Sequence, residues 1–431
     1  MEPTEMPGIV NLASKIGKQL PIELVEFMES AGLIAVSQGW CLYLVGGVVR
    51  DLILWRSNLD LDLVVEGDAI NLAQRLAEIT GGGLTTHLCF GTAKLKWDKW
   101  SVDLAMARAE TYVHPGALPM VKHSSLATDL LRRDFTINAM AVELIPGHWG
   151  RLIDLYGGCD DLRRKLIRIL YGRSFVDDAT RMWRAIRYEQ RLGFKLEVNT
   201  RRRLERDVSC LDTISGDRIR HELELVLKEE SPEKTLRRAE ELGVLARLHP
   251  RLKGDDWLAE RFSEARQLSI PVVPPVGLYL ALFTYSLTSS EVEGLISYLR
   301  LSKRLARVLL DTAGLKTKLK LLAKPKLRPS RVYNLLHDYS VTALTANSLA
   351  TASTIVRQHI QLFLVKLRYV KSALSGEDLK KFGIPVGPRM KEILQELHEA
   401  RLDMRVTSKK EEMEMVRGRV GKENYYNEMV R

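Results

Sequence analysis

Apolar and polar positions repeat with two different periods along this chain. Around residue 41 a continuous apolar run, CLYLV, ends in Gly46 and Gly47, which predicts a buried strand entering a tight turn. LDLDLVV, from residue 59, alternates acid and aliphatic side chains with period two and predicts a half-buried strand. THLCFGTAKLKW (86–97) and WSVDLAMA (100–107) complete a sheet, with helical segments at 69–79 and around 135–141. After RLIDLYGG (151–158) helical periodicity takes over, broken at Gly193, across 215–217, at Pro232, at Pro250 and across PVVPPVG (271–277). The expected fold class is α+β: a head with a small mixed β-sheet, followed by an all-α neck, body and tail. The expected regions are 1–145, which includes a helical lead-in, then 146–230, 231–340 and 341–431. No repeat of solenoid period runs through them.

Composition changes this picture in two ways. At 431 residues the chain is too long for one ordinary core, and its net charge of +11 points to a polyanionic partner. Ten Lys or Arg residues and a single acid, Asp311, fall within 302–331, a one-signed stretch suited to RNA phosphates. Other classes are disfavoured. Glu2 and Glu5 do not fit a secretory signal, and the most apolar stretch (272–287) is broken by Pro274 and Pro275 and short for a bilayer. The cysteines Cys41, Cys89, Cys159 and Cys210 form no CxxC pair, which suits a reducing compartment and argues against zinc. The expected setting is cytoplasmic, with no membrane and no obligate protein partner.

Candidate chemistry concentrates in GGVVRDLIL (46–54) and LDLDLVVEGD (59–68). Two glycines that close a strand and open a helix let backbone N–H groups approach a phosphate, and Arg50 follows on the first turn. Asp60 and Asp62 fall on one strand face, because side chains two apart point the same way. Asp103, in SVDLA, sits on a later strand that can lie alongside. Carboxylates beside a phosphate cradle suit hard cations such as Mg2+, which takes oxygen ligands and shares them with substrate phosphates. A DxD alone is common on solvent-facing strands; the GG-x-x-RD just upstream gives it meaning. Further on, Asp178, Arg181, Arg184 and Arg187 recur at spacing three, a narrow stripe on a helix. An Asp–Arg pair can match the donor and acceptor edge of a base, whereas most such spacings are surface salt bridges.

GGVVRD, LDLDLVV, RRDFTINAMA (132–141), LIDLYGGCDDLRRKLIRIL (152–170) and FVDDATRMWRAIRYEQRLGF (175–194) together resemble the class II tRNA nucleotidyltransferase and bacterial poly(A) polymerase family, in order and in spacing. The resemblance is strong over 38–225. It implies that Asp60 and Asp62 are metal ligands and catalytic, with Asp103 as the third catalytic carboxylate. It implies that Gly46, Gly47 and Arg50 hold the incoming triphosphate, and that Arg133 and Asp134 contact the nucleotide, the aspartate accepting from the ribose 2′-OH. Asp178 and Arg181 would read the base in place of a template, with Arg184 and Arg187 facing the triphosphate or bracing the stripe. The implied reaction is Mg2+-dependent addition of C or A from CTP or ATP to the 3′ end of tRNA.

Two departures from the family pattern stand out. Asp177 replaces its usual Glu, which matters little because the base-reading acid is the second of the pair. The stretch between Asp103 and the RRD motif, ARAETYVHPGALPMVKHSSLATDL, lacks the acid–arginine pair four residues apart that typical CCA-adding members carry. CC, A or full CCA addition therefore stay open, with poly(A) polymerase and a non-catalytic RNA-binding protein as rivals. In the tail, DLKKFGIPVGPRMKEIL (378–394) looks like a helix–hairpin–helix or an ordinary helical corner, with a helix starting at Pro388. His337–Asp338 lacks the further ligands that a metal-dependent phosphohydrolase needs.

Overall fold

The computed structural model describes residues 10–114, 116–117 and 119–429, with side chains up to residue 419. Glu2 and Glu5 lie outside the described residues, as do Pro115 and Leu118 of the loop that departs from the family pattern. The chain divides into two compact units, one ending at Pro250 and the other starting at Arg251.

The first unit is built on a sheet of seven strands: β1 (Cys41–Val45), β2 (Leu61–Glu66), β3 (Gly83–His87), β4 (Thr92–Trp97), β5 (Trp100–Met106), β8 (Ala141–Glu143) and β9 (Leu152–Ile153). Their order is β3-β4-β5-β2-β1-β8-β9, and only the β2–β5 pair is parallel. A parallel pair needs a long crossover. Here it runs through the Ala69–Thr80 helix, which the Asp68 carboxylate caps by accepting from the Ile70 and Asn71 amides. A separate hairpin, β6 (Arg108–Thr111) with β7 (Met120–His123), follows β5. The mixed sheet in the head followed by helices agrees with the α+β expectation. The period-two runs mark the central strands because those strands bury alternate aliphatic side chains, Leu61 and Leu63 on β2 and Val102 and Leu104 on β5.

Three local expectations change. The helix expected around 135–141 is a 3-10 turn at Thr136–Asn138 that leads into β8, because the backbone there is drawn into pairing with β1. Asp60 lies just before β2, its amide held by the Asn58 side chain. The mostly helical segment after Gly158 also holds a two-residue parallel pair, Leu166–Ile167 with Lys195–Leu196. Gly193 stops the Thr180–Leu192 helix in the left-handed region at φ 70°, where a side chain would be strained.

The second unit is helical throughout. Its core gathers Leu315, Leu322, Val332, Leu336, Leu344, Val356 and Ile360 from successive helices. The basic stretch forms the Lys303–Leu322 helix, but its lysines are not equivalent. Lys316 is turned inward, donating to the Tyr285 carbonyl at 2.6 Å with its ammonium over the Tyr285 ring, so it is not free for phosphate. Lys320 is exposed. In the tail the Gly376–Lys381 helix ends at a turn with Gly383 at φ 77°, and the next helix starts at Pro388. No described helix is long and apolar enough to cross a membrane.

The Ile22–Ser37 helix packs on the sheet through Gly32, where an added methyl would collide with the Leu144 carbonyl that follows β8. Gly32→Ala should therefore cost about 1–3 kcal/mol by overpacking, read as a lowered melting temperature of the full chain. An unchanged melting temperature would show that the helix can shift away from the sheet freely.

Candidate active site

Residues brought together by the sheet and by the Thr180–Leu192 helix line a cavity of about 790 Å³ in the first unit. Of the residues singled out from the sequence, Gly46, Gly47, Arg50, Asp60, Asp62, Arg133, Asp134, Asp178, Arg181 and Arg184 border it, whereas Asp103 and Arg187 do not. Gly46 adopts φ 79° between β1 and the Gly47–Ile53 helix. A Cβ there would sit 3.2 Å from Arg133 Nη1 and 3.4 Å from Asp62 Oδ2, so glycine keeps the cavity floor open.

Arg50 is buried, and three of the five guanidinium donors are used within the protein. Nε and Nη2 grip Asp51 at 2.9 and 2.7 Å, and Nη1 reaches Asn138 Oδ1 at 2.7 Å. Asn138 passes the connection on, donating to Asp134 Oδ1 at 3.0 Å. Asp134 Oδ2 then accepts from Arg184 Nε and Nη2 at 2.9 and 2.6 Å. Burial by itself would push the Asp134 carboxyl upward, but Arg184 and Asn138 outweigh it and hold the group below the usual carboxylate range. In this structure the Asp134 carboxylate is committed to Arg184, a partner the sequence did not suggest.

The base-reading stripe needs correction. Asp178 is not on the helix; it sits in extended conformation between the Ser174–Asp177 and Thr180–Leu192 helices. Its Oδ1 accepts from the Thr180 amide and hydroxyl, as a helix-start residue does, and from Arg218 Nη2 at 2.7 Å. Arg181 is anchored by Ser174 Oγ at 2.6 Å and by the Arg132 carbonyl at 2.6 Å. Helical spacing also explains Arg187. Each step of three falls about 60° short of a full turn, so by the third arginine the stripe has left the cavity. Arg187 instead pairs with Glu222 and Glu229. Tyr188 and Arg191 lie on the cavity side, at spacings of four and seven from Arg184. Tyr188 has the guanidinium groups of Arg50, Arg184 and Arg187 within 5.1, 5.6 and 5.0 Å of its ring. Arg218 and Glu110 also border the cavity, and no local pattern announced either.

Asp62 and Asp103 stand directly opposite each other on the parallel strands β2 and β5. Asp103 is paired with Lys94 at 2.8 Å and opens onto a neighbouring groove. Asp62 is different. Burial, together with repulsion from Asp60 and Asp103, pushes its carboxyl up to about 6 despite nearby Arg133. Among the described residues no three His, Cys, Asp or Glu side chains form a metal cage by themselves. A cation that takes one or two protein carboxylates and completes its shell with phosphate oxygens and water needs no such cage. The crowded acid Asp62, with Asp60 at its side, fits a cation of that kind.

The sheet-based head, the Gly46–Gly47 turn and the arginine-lined cavity together suit a polyanionic ligand such as a nucleotide. The model of the Poly A polymerase head domain matches residues 42–168, and that of the "Probable RNA and SrmB- binding site of polymerase A" matches residues 193–255. The A-adding tRNA nucleotidyltransferase of Geobacter sulfurreducens is 36% identical over 417 residues, which cover 92% of this chain and 47% of that protein. A solved CCA-adding enzyme in its apo form II is 31% identical with a TM-score of 0.80, and covers 95% of this chain and 99% of that one. The Thermotoga maritima CCA-adding enzyme complexed with tRNA is 30% identical with a TM-score of 0.76, over 95% and 99% of the two chains. The chain belongs to the class II CCA-adding enzyme family. It spans about half the length of the curated relatives it matches first. Nucleotidyltransferases of this family generally use a divalent metal.

Because folding raises the Asp62 pKa from 3.8 to about 6, the folded chain holds this proton more tightly than the unfolded chain does. Its stabilising contribution is complete below about pH 4 and is lost as pH rises through about 6. In chelator, Asp62→Asn should stabilise the protein at pH 8 by about 2 kcal/mol, after discounting for partial exposure, and by little at pH 4. Denaturant unfolding at both pH values measures this. Equal stability of the two proteins at pH 8 would mean that Asp62 is not strained.

Proposed function

We propose that this chain adds A, C or both from ATP or CTP to the 3′ end of tRNA, with release of pyrophosphate. The observation that carries the reading is the cavity itself, where the acids Asp60 and Asp62 face an arginine-rich wall across the Gly46–Gly47 turn. The 3′-hydroxyl oxygen bonds to the α-phosphorus while the bridging bond to pyrophosphate breaks, and the hydroxyl proton passes to solvent water. Asp60 and Asp62 would hold Mg2+, which when bound would lower the pKa of the attacking hydroxyl and neutralise charge on the triphosphate. Asp103, one strand away, is the third catalytic carboxylate of the reading.

The nucleotide is held by this chain's own groups. Gly46 and Gly47 let the triphosphate approach the backbone, and Arg50 and Arg133 oppose its charge. Asp134 takes the ribose side, and Arg184 fixes Asp134 for that task. Asp178 and Arg181 face the base, held by Arg218 and by Ser174 respectively. Arg187 acts from behind, buried against Glu222 and Tyr188. In this reading 1–145 carries the chemistry, 146–230 selects the base, and 231–340 and 341–431 bind tRNA. The likeness to a CCA-adding enzyme complexed with tRNA supports the RNA partner, and the relative named A-adding favours ATP. The four cysteines are all free, which supports a cytoplasmic setting.

The test offers labelled ATP and CTP with tRNAs that lack CCA, lack only the final A, or are intact. The reading expects C on tRNA that lacks CCA, one A on tRNA ending in CC, or both, and nothing on intact tRNA. Arg181→Ala should then accept UTP or GTP, losing about 1–3 kcal/mol of base discrimination. No incorporation contradicts the reading, and long A tails would replace it with a poly(A) polymerase. Full base preference in Arg181→Ala would remove Arg181 from base selection.

A further inference from the structure

A second concave surface, of about 610 Å³, opens on the exposed face of the sheet and shares only Asp62, Arg132 and Arg133 with the nucleotide cavity. Its layout follows from strand register. Asp62 lies opposite Asp103, Asp103 opposite Lys94, and Lys94 opposite Thr85. These four side chains form one row that crosses β2, β5, β4 and β3 at right angles to the strands. Side chains two apart share a face, so Lys96 and His87 flank the row on β4 and β3, and both are exposed. The row changes character along its length. It starts with acids in the middle of the sheet and ends with hydroxyl and cationic donors at the edge strand. Three strand spacings make it about 14 Å long.

Displacement at phosphorus places the attacking and leaving oxygens roughly in line. If the triphosphate lies in the arginine-lined cavity, the attacking strand must reach the α-phosphorus from the side away from the pyrophosphate. The second surface meets the cavity at Asp62, Arg132 and Arg133, and its rim carries the donors that phosphodiester oxygens and 2′-hydroxyls require. We propose that the Asp62–Asp103–Lys94–Thr85 row is the track for the 3′-terminal strand of the RNA, with Lys96 and His87 holding its backbone at the sheet edge. The terminal hydroxyl then lies at the acid end, and the preceding phosphates pass over the β4 lysines. Lys94 is a positioning residue in this scheme, because its 2.8 Å bond to Asp103 fixes that carboxylate beside the incoming strand. The proposal rests on the nucleotidyl-transfer reading above.

The experiment measures steady-state addition of CTP to tRNA lacking CCA and of ATP to tRNA ending in CC by the full chain, with Lys96→Ala, Lys96→Arg and Lys96→Ala/His87→Ala. Both side chains are exposed, and melting temperatures confirm that the variants fold. Lys96→Ala should raise KM for tRNA about tenfold, the loss of one charged hydrogen bond. It should also reduce the slope of log affinity against log salt by ~0.7, the share of one single-strand phosphate contact. Lys96→Arg should restore most of both, and the double variant should lose more. ATP affinity measured without RNA should match the unmodified chain, because neither Lys96 nor His87 lines the nucleotide cavity. If the unmodified chain adds no nucleotide, the underlying reading has failed. If it does add nucleotide and Lys96→Ala shows unchanged KM and unchanged salt slope, the track is overturned on its own.

Discussion

Asp134 lies with its carboxylate buried, accepting from its own Phe135 amide, from Asn138 and from two nitrogens of Arg184. Arg184 belongs to the helix that follows the head, and Asn138 to the turn beside β8, so one carboxylate joins the sheet to the helix behind it. Burial alone would favour the neutral form of each group. For Arg184 the field of Asp134 outweighs that burial and keeps the guanidinium charged. Removing one partner of such a pair leaves an uncompensated buried charge, a cost of about 3–5 kcal/mol. The pair therefore ties the two walls of the cavity together.

The other site residues are arranged around this joint. Asn138 connects it to Arg50, and Arg50 to Asp51. Asp51 accepts from Asn58, whose side-chain oxygen holds the amide of Asp60. A bonded path thus leads from Arg184 to the first of the paired acids. Asp62 stands outside that path and accepts no hydrogen bond from the arginines of the network, which is why burial raises its carboxyl. The structure combines a satisfied positive wall with a strained acid, and that asymmetry suits a site that must hold a polyanion and a cation together.

Much of this was legible from residue order. Period two located β2 and β5, the glycine pair located the turn, and the family motifs named most of the cavity-lining residues. The failures have physical causes. A stripe at spacing three drifts around an α-helix, which turns every 3.6 residues, so Arg187 braces it from behind while Tyr188 and Arg191, outside that spacing, reach the cavity. Spacing alone places Asp178 on the helix, whereas its carboxylate serves the start of that helix from the extended residue before it. The charge of the lysine run cannot reveal that Lys316 bonds the Tyr285 carbonyl. Arg218 meets Asp178 across forty residues, a tertiary contact without any local periodicity.

Asp134 and Arg184 act as one unit in forming the cavity proposed to take the nucleotide. A double-mutant cycle on ATP affinity, measured without RNA by calorimetry for Asp134→Ala, Arg184→Ala and the double variant, tests it most directly. The account predicts that each single change loses nearly as much affinity as both together, a coupling of at least about 1 kcal/mol. Losses that add within about 0.5 kcal/mol would show that the two side chains act independently and would contradict it.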